Sequence, residues 1–191
     1  MNVKMRVLTV FLFALLTITG VTQENVPTAN IRDTGPAGGI IFYDKGNNSG
    51  GWRYLEAAPV EAETTAVFSV RNTRVENTQE GVGNGRRNTQ LISELYDRTA
   101  GEWDTAAQYC DELVFNGFND WFLPSKDELD FMYGNLKRRN LGDFKNDRYW
   151  SSSMYLNEVY WQNFRDGTIN NTYNLNNQFY VRPIRQVAGP N

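Results

Sequence analysis

The segment Gly117–Leu129, GFNDWFLPSKDEL, constrains the fold more than any other part of the chain. Turn-forming residues open it, and the apolar run Trp121–Leu123 then predicts a short buried strand. Pro124 cannot donate a hydrogen bond to a neighbouring strand, so we expect the strand to end there. Ser125 and Glu128 have the spacing of a capping box, which predicts a helix directly after Ser125. A buried strand that leads into a helix is a core element, and Trp121 should be buried.

The rest of the chain carries strand and helix patterns around this segment. Gly38–Asp44 and Trp52–Ala58 flank a dense turn signal and predict a β-hairpin. Further strands are predicted at Ala66–Val70, Arg148–Tyr155, Glu158–Phe164, Thr168–Leu175 and Phe179–Val187, and further helices at Thr89–Arg98 and Glu102–Phe115. The order strands, helices, strands favours an α+β fold: a single domain with an antiparallel sheet and about three helices.

Two turn-forming positions shape the predicted C-terminal strands. Asp166-Gly167 is typical of a hairpin turn, so Thr168–Leu175 should pair with the strand before it. Pro183 interrupts the last strand and predicts a sheet edge or a bulge there.

Charge and composition exclude several classes of function. The chain has 191 residues, of which 40% are hydrophobic, which is enough for one domain with a substantial core. The net charge of −3 gives no indication of nucleic-acid binding. The sequence has no His, which removes histidine-based catalytic triads and most zinc sites.

The N-terminus has the pattern of a secretory signal. Lys4 and Arg6 precede the apolar run Val7–Leu16, and a small and polar region follows. We therefore expect a signal peptide at 1–22, a flexible leader at 23–32 and the folded domain at 33–191. The apolar run is short for a membrane span, so we expect an extracytoplasmic protein that is secreted, periplasmic or on the cell surface, without a stable span after cleavage. An uncleaved N-terminal anchor is the alternative.

Cys110 is the single cysteine, so no internal disulfide can form. It lies on the apolar face of a predicted helix, beside Asp111 and Glu112, whose charges disfavour a reactive thiolate. We expect a buried, structural residue.

The glycine-rich stretch Gly81–Gly85 invites comparison with a phosphate-binding loop. No strong strand precedes it and no Lys-Ser or Lys-Thr pair follows, as such a loop requires. We interpret it as a flexible loop that leads to a helix.

Several longer motifs, taken together, resemble one protein family. They are GPAGGIIFYDKG, GWRYLEAAP, GVGNGRRNT, NDWFLPSKDELDFMY, YWSSS and VRPIR, spread from Gly35 to Gln186. This combination is similar to the Lcl C-terminal domain family. The resemblance implies a C-type-lectin-like fold in an extracytoplasmic bacterial protein. It also implies that the strands Gly38–Asp44 and Phe179–Val187 lie in one sheet.

Aromatic and amide side chains are concentrated near the C-terminus and suggest a ligand-binding face. Amides offer donor and acceptor groups together, and aromatic rings give stiff contact area. The candidate residues are Tyr155, Trp161, Asn163, Arg165, Asn170, Thr172, Tyr173, Asn174, Asn176 and Asn177. We expect them to recognise a glycan or a protein, as in an adhesin or lectin-like domain. The alternative is that Trp150 and Trp161 are core residues and that the asparagines form turns.

A strand period in Gly167–Asn177 defines this face more closely. It places Thr168, Asn170, Thr172, Asn174 and Asn176 on one side, and Ile169, Asn171, Tyr173 and Leu175 on the other. The first set is polar and should face water. Asn is depleted in strands, which suggests selection for something other than sheet stability. Variable proteins of diversity-generating retroelements look similar here, and this resemblance implies a ligand-contacting face that tolerates change.

An enzyme is the second hypothesis, because formylglycine-generating enzymes are similar in fold. Their chemistry needs a Cys pair near the C-terminus, which this chain does not have. Asp120 and Glu128 could be considered as acid and base, but a turn and a helix cap explain them better. We therefore expect no enzyme and assign no catalytic residues, no metal site and no cofactor. Calcium stays open, since C-type lectins often hold it, but no calcium-binding motif supports it.

Overall fold

The computed structural model describes residues 29–69, 75–95 and 105–190. The strands are β1 Ile40–Asp44, β2 Tyr54–Ala57, β3 Thr64–Ala66, β4 Arg148–Tyr155, β5 Glu158–Asn163, β6 Ile169–Thr172, β7 Phe179–Val181 and β8 Ile184–Val187. The helices are α1 Gly85–Leu95, α2 Ala106–Glu112 and α3 Lys126–Asn135. The predicted α+β class and the single domain are confirmed, and the arrangement is compatible with a C-type-lectin-like fold.

The strands form two sheets that share the C-terminal segment. The small sheet has the order β1-β2-β8, and the large sheet has the order β3-β7-β4-β5-β6. Neighbours are antiparallel except β4 and β7, which meet in parallel at Tyr149 and Tyr180. Pro183 separates β7 from β8. The prediction that Phe179–Val187 shares a sheet with Gly38–Asp44 is therefore confirmed for β8 and wrong for β7. Because Pro183 has no N–H to donate, the chain leaves one ladder and joins the other there.

The segment Gly117–Leu129 links the two sheets to α3. Trp121 is 2% exposed, as predicted. Phe122 forms an isolated bridge with Ile184 of β8, and its N–H and C=O both bond that residue at 2.9 Å. The capping box at Ser125 and Glu128 is confirmed, and α3 begins directly after it.

The large sheet separates two apolar clusters. On one face Trp150 and Phe179 pack with α1 and α2, and on the other Tyr149 and Phe164 pack with α3 and the small sheet. Cys110 lies fully buried in the first cluster, as predicted, and burial raises the pKa of its thiol.

Both earlier helices differ in extent from the prediction. α1 begins at Gly85, four residues before the predicted start, and the end of the predicted helix lies outside the described residues. α2 begins after the N-cap Thr105 and ends at Glu112, because the backbone of Leu113 is extended. The predicted strand Ala66–Val70 is largely wrong: β3 runs from Thr64 to Ala66, and Val67 forms only an isolated bridge with Thr105. Val70 lies outside the described residues.

The two ends of the described chain meet at the small sheet. Ala29, Tyr54, Val187 and Ala188 line a shallow apolar groove on its outer face. Asn48 holds the C-terminal segment by accepting the N–H of Gly189 at 2.8 Å and donating to the carbonyl of Pro190 at 2.9 Å. The predicted signal peptide and residues 23–28 of the predicted leader lie outside the described residues. Within the described ranges, no helix has the length and apolar character needed to cross a membrane.

Candidate functional site

The glycine-rich loop Gly81–Gly85 lies against the start of α3 and binds a carboxylate of the chain itself. The N–H of Gly83 donates to Oε1 of Glu128 at 2.8 Å, and the N–H of Ser125 donates to Oε2 at 2.7 Å. Glu128 is fully buried, and this desolvation raises its pKa to about 7 although the backbone donors favour the charged form. The loop is therefore fixed by an internal carboxyl group, which already accepts the backbone N–H of Gly83.

Asp120, the other carboxylate considered for acid–base chemistry, is held by an arginine. Arg185 donates from Nε and Nη2 to the two oxygens of Asp120 at 2.8 and 3.1 Å. The same guanidinium lies 3.2 Å from the buried Glu56, whose pKa is raised by burial. Asp120 and Glu128 therefore both have structural partners. Within the described ranges, no group of three or more His, Cys, Asp or Glu side chains is placed to hold a metal ion.

Strands β4, β5 and β6 bring several of the predicted ligand-binding residues to one edge of the large sheet. Trp161 pairs with Trp150 of β4 and with Asn170 of β6, and Val159 pairs with Thr172. Directly paired residues point to the same face of a sheet, and alternate residues along a strand do so too. One face therefore carries Arg148, Trp161, Asn163, Asn170 and Thr172, which we call the tryptophan face.

The tryptophan face is anchored to the core through Trp161. This ring is half-buried and meets Phe179 edge to face at 5.7 Å. The guanidinium of Arg148 lies 4.4 Å from the ring centroid of Phe179 and 5.9 Å from that of Trp161. Trp150 is completely buried. The core interpretation therefore holds fully for Trp150 and only in part for Trp161, which keeps some ring surface exposed.

The opposite face of the same strands carries two tyrosines around one carboxylate. Tyr155 pairs with Glu158 across β4 and β5, and Tyr173 directly follows β6 in the register position beside Glu158. The Tyr173 hydroxyl donates a hydrogen bond to the Glu158 carboxylate, which raises the pKa of Tyr173. The side chains of Tyr155 and Tyr173 are 55% and 67% exposed. We call Tyr155, Glu158 and Tyr173 the tyrosine row.

Tyr160 connects the tyrosine row to the start of α3. It lies two positions along β5 from Glu158 and therefore on the same face. Burial and a hydrogen bond to Glu80 raise the pKa of Tyr160. Lys126 forms an ion pair with Glu80, and its Nζ lies 5.1 Å from the Tyr160 ring centroid.

The polar side chains predicted to bind ligand are largely engaged within their own loops. Four of them accept a backbone N–H one or two residues ahead: Asn163, Asn170, Thr172 and Asn174. Such local bonds stabilise turns. The alternative interpretation, that these residues serve the turns, thus has direct structural support for these four side chains. Asn176 is exposed and Asn177 half-buried.

The prediction that the strand continues beyond Thr172 with one polar face is wrong. β6 ends at Thr172, so Asn174 and Asn176 lie in a turn and not on a sheet face. On the other side of the predicted strand, Leu175 is buried, but Ile169 is 38% exposed. The physical reason is that β6 is the edge strand of the large sheet, where the chain is free to turn away and a side chain has a neighbouring strand on one side alone.

Two predicted residues lie at the far end of the β5–β6 hairpin. Arg165 is exposed in the turn, and its backbone N–H donates a hydrogen bond to Oδ1 of Asn163 at 3.0 Å. About 17 Å of strand separates Asn163 from Glu158, at the usual rise per residue. The ten predicted residues therefore do not form one continuous contact surface.

Sequence reasoning missed Glu158, Lys126 and Arg148 as neighbours of the predicted residues. The signal for Glu158 was present, because the predicted strands Arg148–Tyr155 and Glu158–Phe164 leave a two-residue turn that pairs Tyr155 with Glu158. The position of Tyr173 could not be found this way. The β5–β6 loop is longer than Asp166-Gly167 alone: Gly167 bonds back to the carbonyl of Asn163 at 2.7 Å.

Residues 63–185, well over half of the chain, match the sequence model of the Lcl C-terminal domain. The chain belongs to the Lcl C-terminal domain family. This Lcl C-terminal domain contains β3, all three helices and most of the C-terminal strands, including both faces of the β4–β6 edge. A comparison with curated protein sequences gives no significant match.

Proposed function

We propose that this Lcl C-terminal domain is an exported ligand-binding module, adhesin-like or lectin-like, that recognises a glycan or a protein. The family is compatible with an extracellular ligand-binding domain. Export is inferred from the N-terminal charge and apolar pattern alone. The proposal includes no catalytic residue, cofactor or nucleic-acid partner.

One observation carries the proposal: exposed apolar and aromatic side chains gather where β4 and β6 end and β5 begins. Eight large hydrophobic side chains are exposed among the described residues, and three of these belong to this corner. They are Tyr155, Leu156 and Tyr173. Single exposed apolar residues are ordinary on a protein surface, but a group of them rimmed by polar residues is typical of an interaction site.

The test is a ligand screen with the purified protein, followed by variants. A glycan array and a pull-down from candidate host or bacterial surface proteins identify the ligand. The double variant Tyr155→Ala, Tyr173→Ala should then lose at least about tenfold in affinity, since exposed aromatic residues dominate many contact surfaces. Val114→Ala is the matched control, because Val114 is 72% exposed on another loop. Equal affinities of the double variant and the control for a confirmed ligand would contradict the proposed site.

The amide residues need a separate variant. Replacement of Asn170, Thr172, Asn174 and Asn176 by Ala together removes the polar side chains of β6 on the tryptophan face and two asparagines of the following turn. A sharp fall in affinity, with little change in melting temperature, would extend the contact surface to the tryptophan face and this turn. Unchanged affinity would restrict it to the tyrosine row.

A further inference from the structure

The tyrosine row lies just beyond the part of the sheet that α3 covers. Asp130 of α3 accepts a hydrogen bond from Gln162 at 2.8 Å, and Lys126, the first residue of α3, contacts Tyr160. Glu158 lies one further position along the same face of β5, past the start of the helix. This explains why Tyr155 and Tyr173, on either side of Glu158, are both more than half exposed.

Among the described residues, the charges around the tyrosine row are predominantly negative. Glu80 and Asp127 share one ammonium group, that of Lys126, which lies 3.6 Å from Asp127. Glu158 adds a third carboxylate on this side. Within the described part of the chain, Glu158 takes part in no ion pair, and its partner is the neutral Tyr173 hydroxyl. The described part of this surface therefore presents a carboxylate without an ion-pair partner between two aromatic rings.

The hairpin tip beside the row has an unusual composition. Leu156 is 59% exposed and has a positive φ of 55°. A bulky residue is strained in this region of backbone conformation, where Asn or Gly would be favoured. An exposed Leu at this position adds apolar contact area next to Tyr155. It also adds backbone strain that Asn or Gly would avoid, so the turn alone does not explain the choice of Leu.

We propose that the tyrosine row binds the cationic side chain of a basic segment in a partner protein, an Arg or Lys residue. A guanidinium or ammonium group is attracted to aromatic ring faces and forms its strongest hydrogen bonds with a carboxylate. Tyr155 and Tyr173 flank the cation, Glu158 accepts its hydrogen bonds, and Leu156 contacts the methylene stem. The inference rests on the proposed function and selects a protein ligand over a neutral or acidic glycan.

The test compares two synthetic peptides that have the same shape and differ in the charged groups of two side chains. One is acetyl-Gly-Arg-Gly-Arg-Gly-amide, and the other carries citrulline, the neutral isostere, in place of each Arg. In NMR titrations of the purified protein, the Arg peptide should shift the backbone amide signals of Tyr155, Glu158 and Tyr173, and the citrulline peptide should bind at least about tenfold more weakly.

Two charge-matched variants separate a specific site from general attraction. Glu158→Gln should weaken binding of the Arg peptide by about tenfold, and Asp111→Asn, an exposed carboxylate on α2, by less than about twofold. Equal effects of the two variants, or equal binding of the two peptides, would overturn the inference. A confirmed ligand that is insensitive to Glu158→Gln would also overturn it while leaving the proposed function intact. A ligand screen without hits bears on the proposed function, and the peptide titration still measures the tyrosine row directly.

Discussion

Polar side chains serve different purposes in the segments Trp121–Leu129 and Ile169–Asn177. In the first, Ser125 and Glu128 are buried and bond to the loop Gly81–Gly85, 44 and 45 residues away in the chain. In the second, side-chain oxygens accept N–H groups one or two residues ahead. Long-range polar bonds specify how distant parts of the fold meet, whereas local bonds specify only the shape of a loop. The polar residues of the second segment, unlike its buried Leu175, can therefore change at little cost to the fold.

The largest expected effect is loss of the core at Trp121. Trp121→Ala should lower the free energy of unfolding by about 3–5 kcal/mol, because the ring is almost fully buried against Ala37, Ala58 and Ala62. Chemical denaturation measures this, with Tyr155→Ala as the control, expected within about 0.5 kcal/mol of wild type. A Trp121→Ala protein as stable as wild type would show that the first segment is not core, and the comparison would fail.

Glu128 should make stability depend on pH. Its pKa is raised from 4.5 to about 7 in the folded protein, so between these values the folded chain holds a proton that the unfolded chain has lost. Stability should therefore fall as pH rises through this window, by about 2–3 kcal/mol. Denaturation at pH 5 and pH 8 measures the fall.

The matched pair for this prediction is Glu128→Gln and Asp127→Asn. Glu128→Gln should remove most of the fall, leaving a small slope from Glu56, whose pKa is also raised by burial. Asp127→Asn, a more exposed neighbour on the same helix turn, should keep it. Identical slopes in both variants would show that another group dominates the titration.

The helix cap is expected to contribute less. Ser125→Ala removes the acceptor for the N–H of Glu128 and the donor to the carbonyl of Gly81, and should cost about 1 kcal/mol. Ser125→Thr or Ser125→Asp should restore part of this loss in thermal denaturation if capping is the cause. No rescue by either variant would instead point to the tight packing around Ser125.

The smallest effect is expected in the asparagine turn. Asn174→Ala should cost about 0.5 kcal/mol, since its Oδ1 accepts a single exposed N–H, that of Asn176. Asn176→Ala should be neutral. Differential scanning calorimetry can measure the loss of stability in each variant. A loss in Asn174→Ala as large as that in Ser125→Ala would contradict the distinction between local and long-range polar bonds.

Local patterns in the sequence predicted local structure well. The capping box at Ser125, the β1–β2 hairpin, the pairing of β5 with β6 and the burial of Cys110 each follow from a few neighbouring residues. Long-range consequences were harder to predict. Pro183 was correctly expected to disturb the last strand, but its sequence context does not show that the two halves join different sheets.

The candidate site was predictable to the same extent. The exposed aromatic residues Tyr155 and Tyr173 were identified from composition, whereas their approach around Glu158 depends on the β5–β6 register. A two-residue turn at Asp166-Gly167 would shift this register by two positions. Such a shift keeps every side chain on its face and changes its neighbours, so Glu158 and Tyr173 become adjacent only in the longer loop.

The two ends of the described chain meet at the small sheet, which has a consequence for how the domain can be displayed. Ala29 and Ala188 line the same groove. β8 directly follows β7 in the chain, and β7 lies three strand positions from β6 in the large sheet. At the usual spacing between strands, this puts β6 about 14 Å from the strand that leads to the exit. A tether attached at either end would therefore pull on one side of the domain and leave the β6 edge pointing outward. Insertion of the domain into a loop of another protein would need little linker, since entry and exit are already side by side.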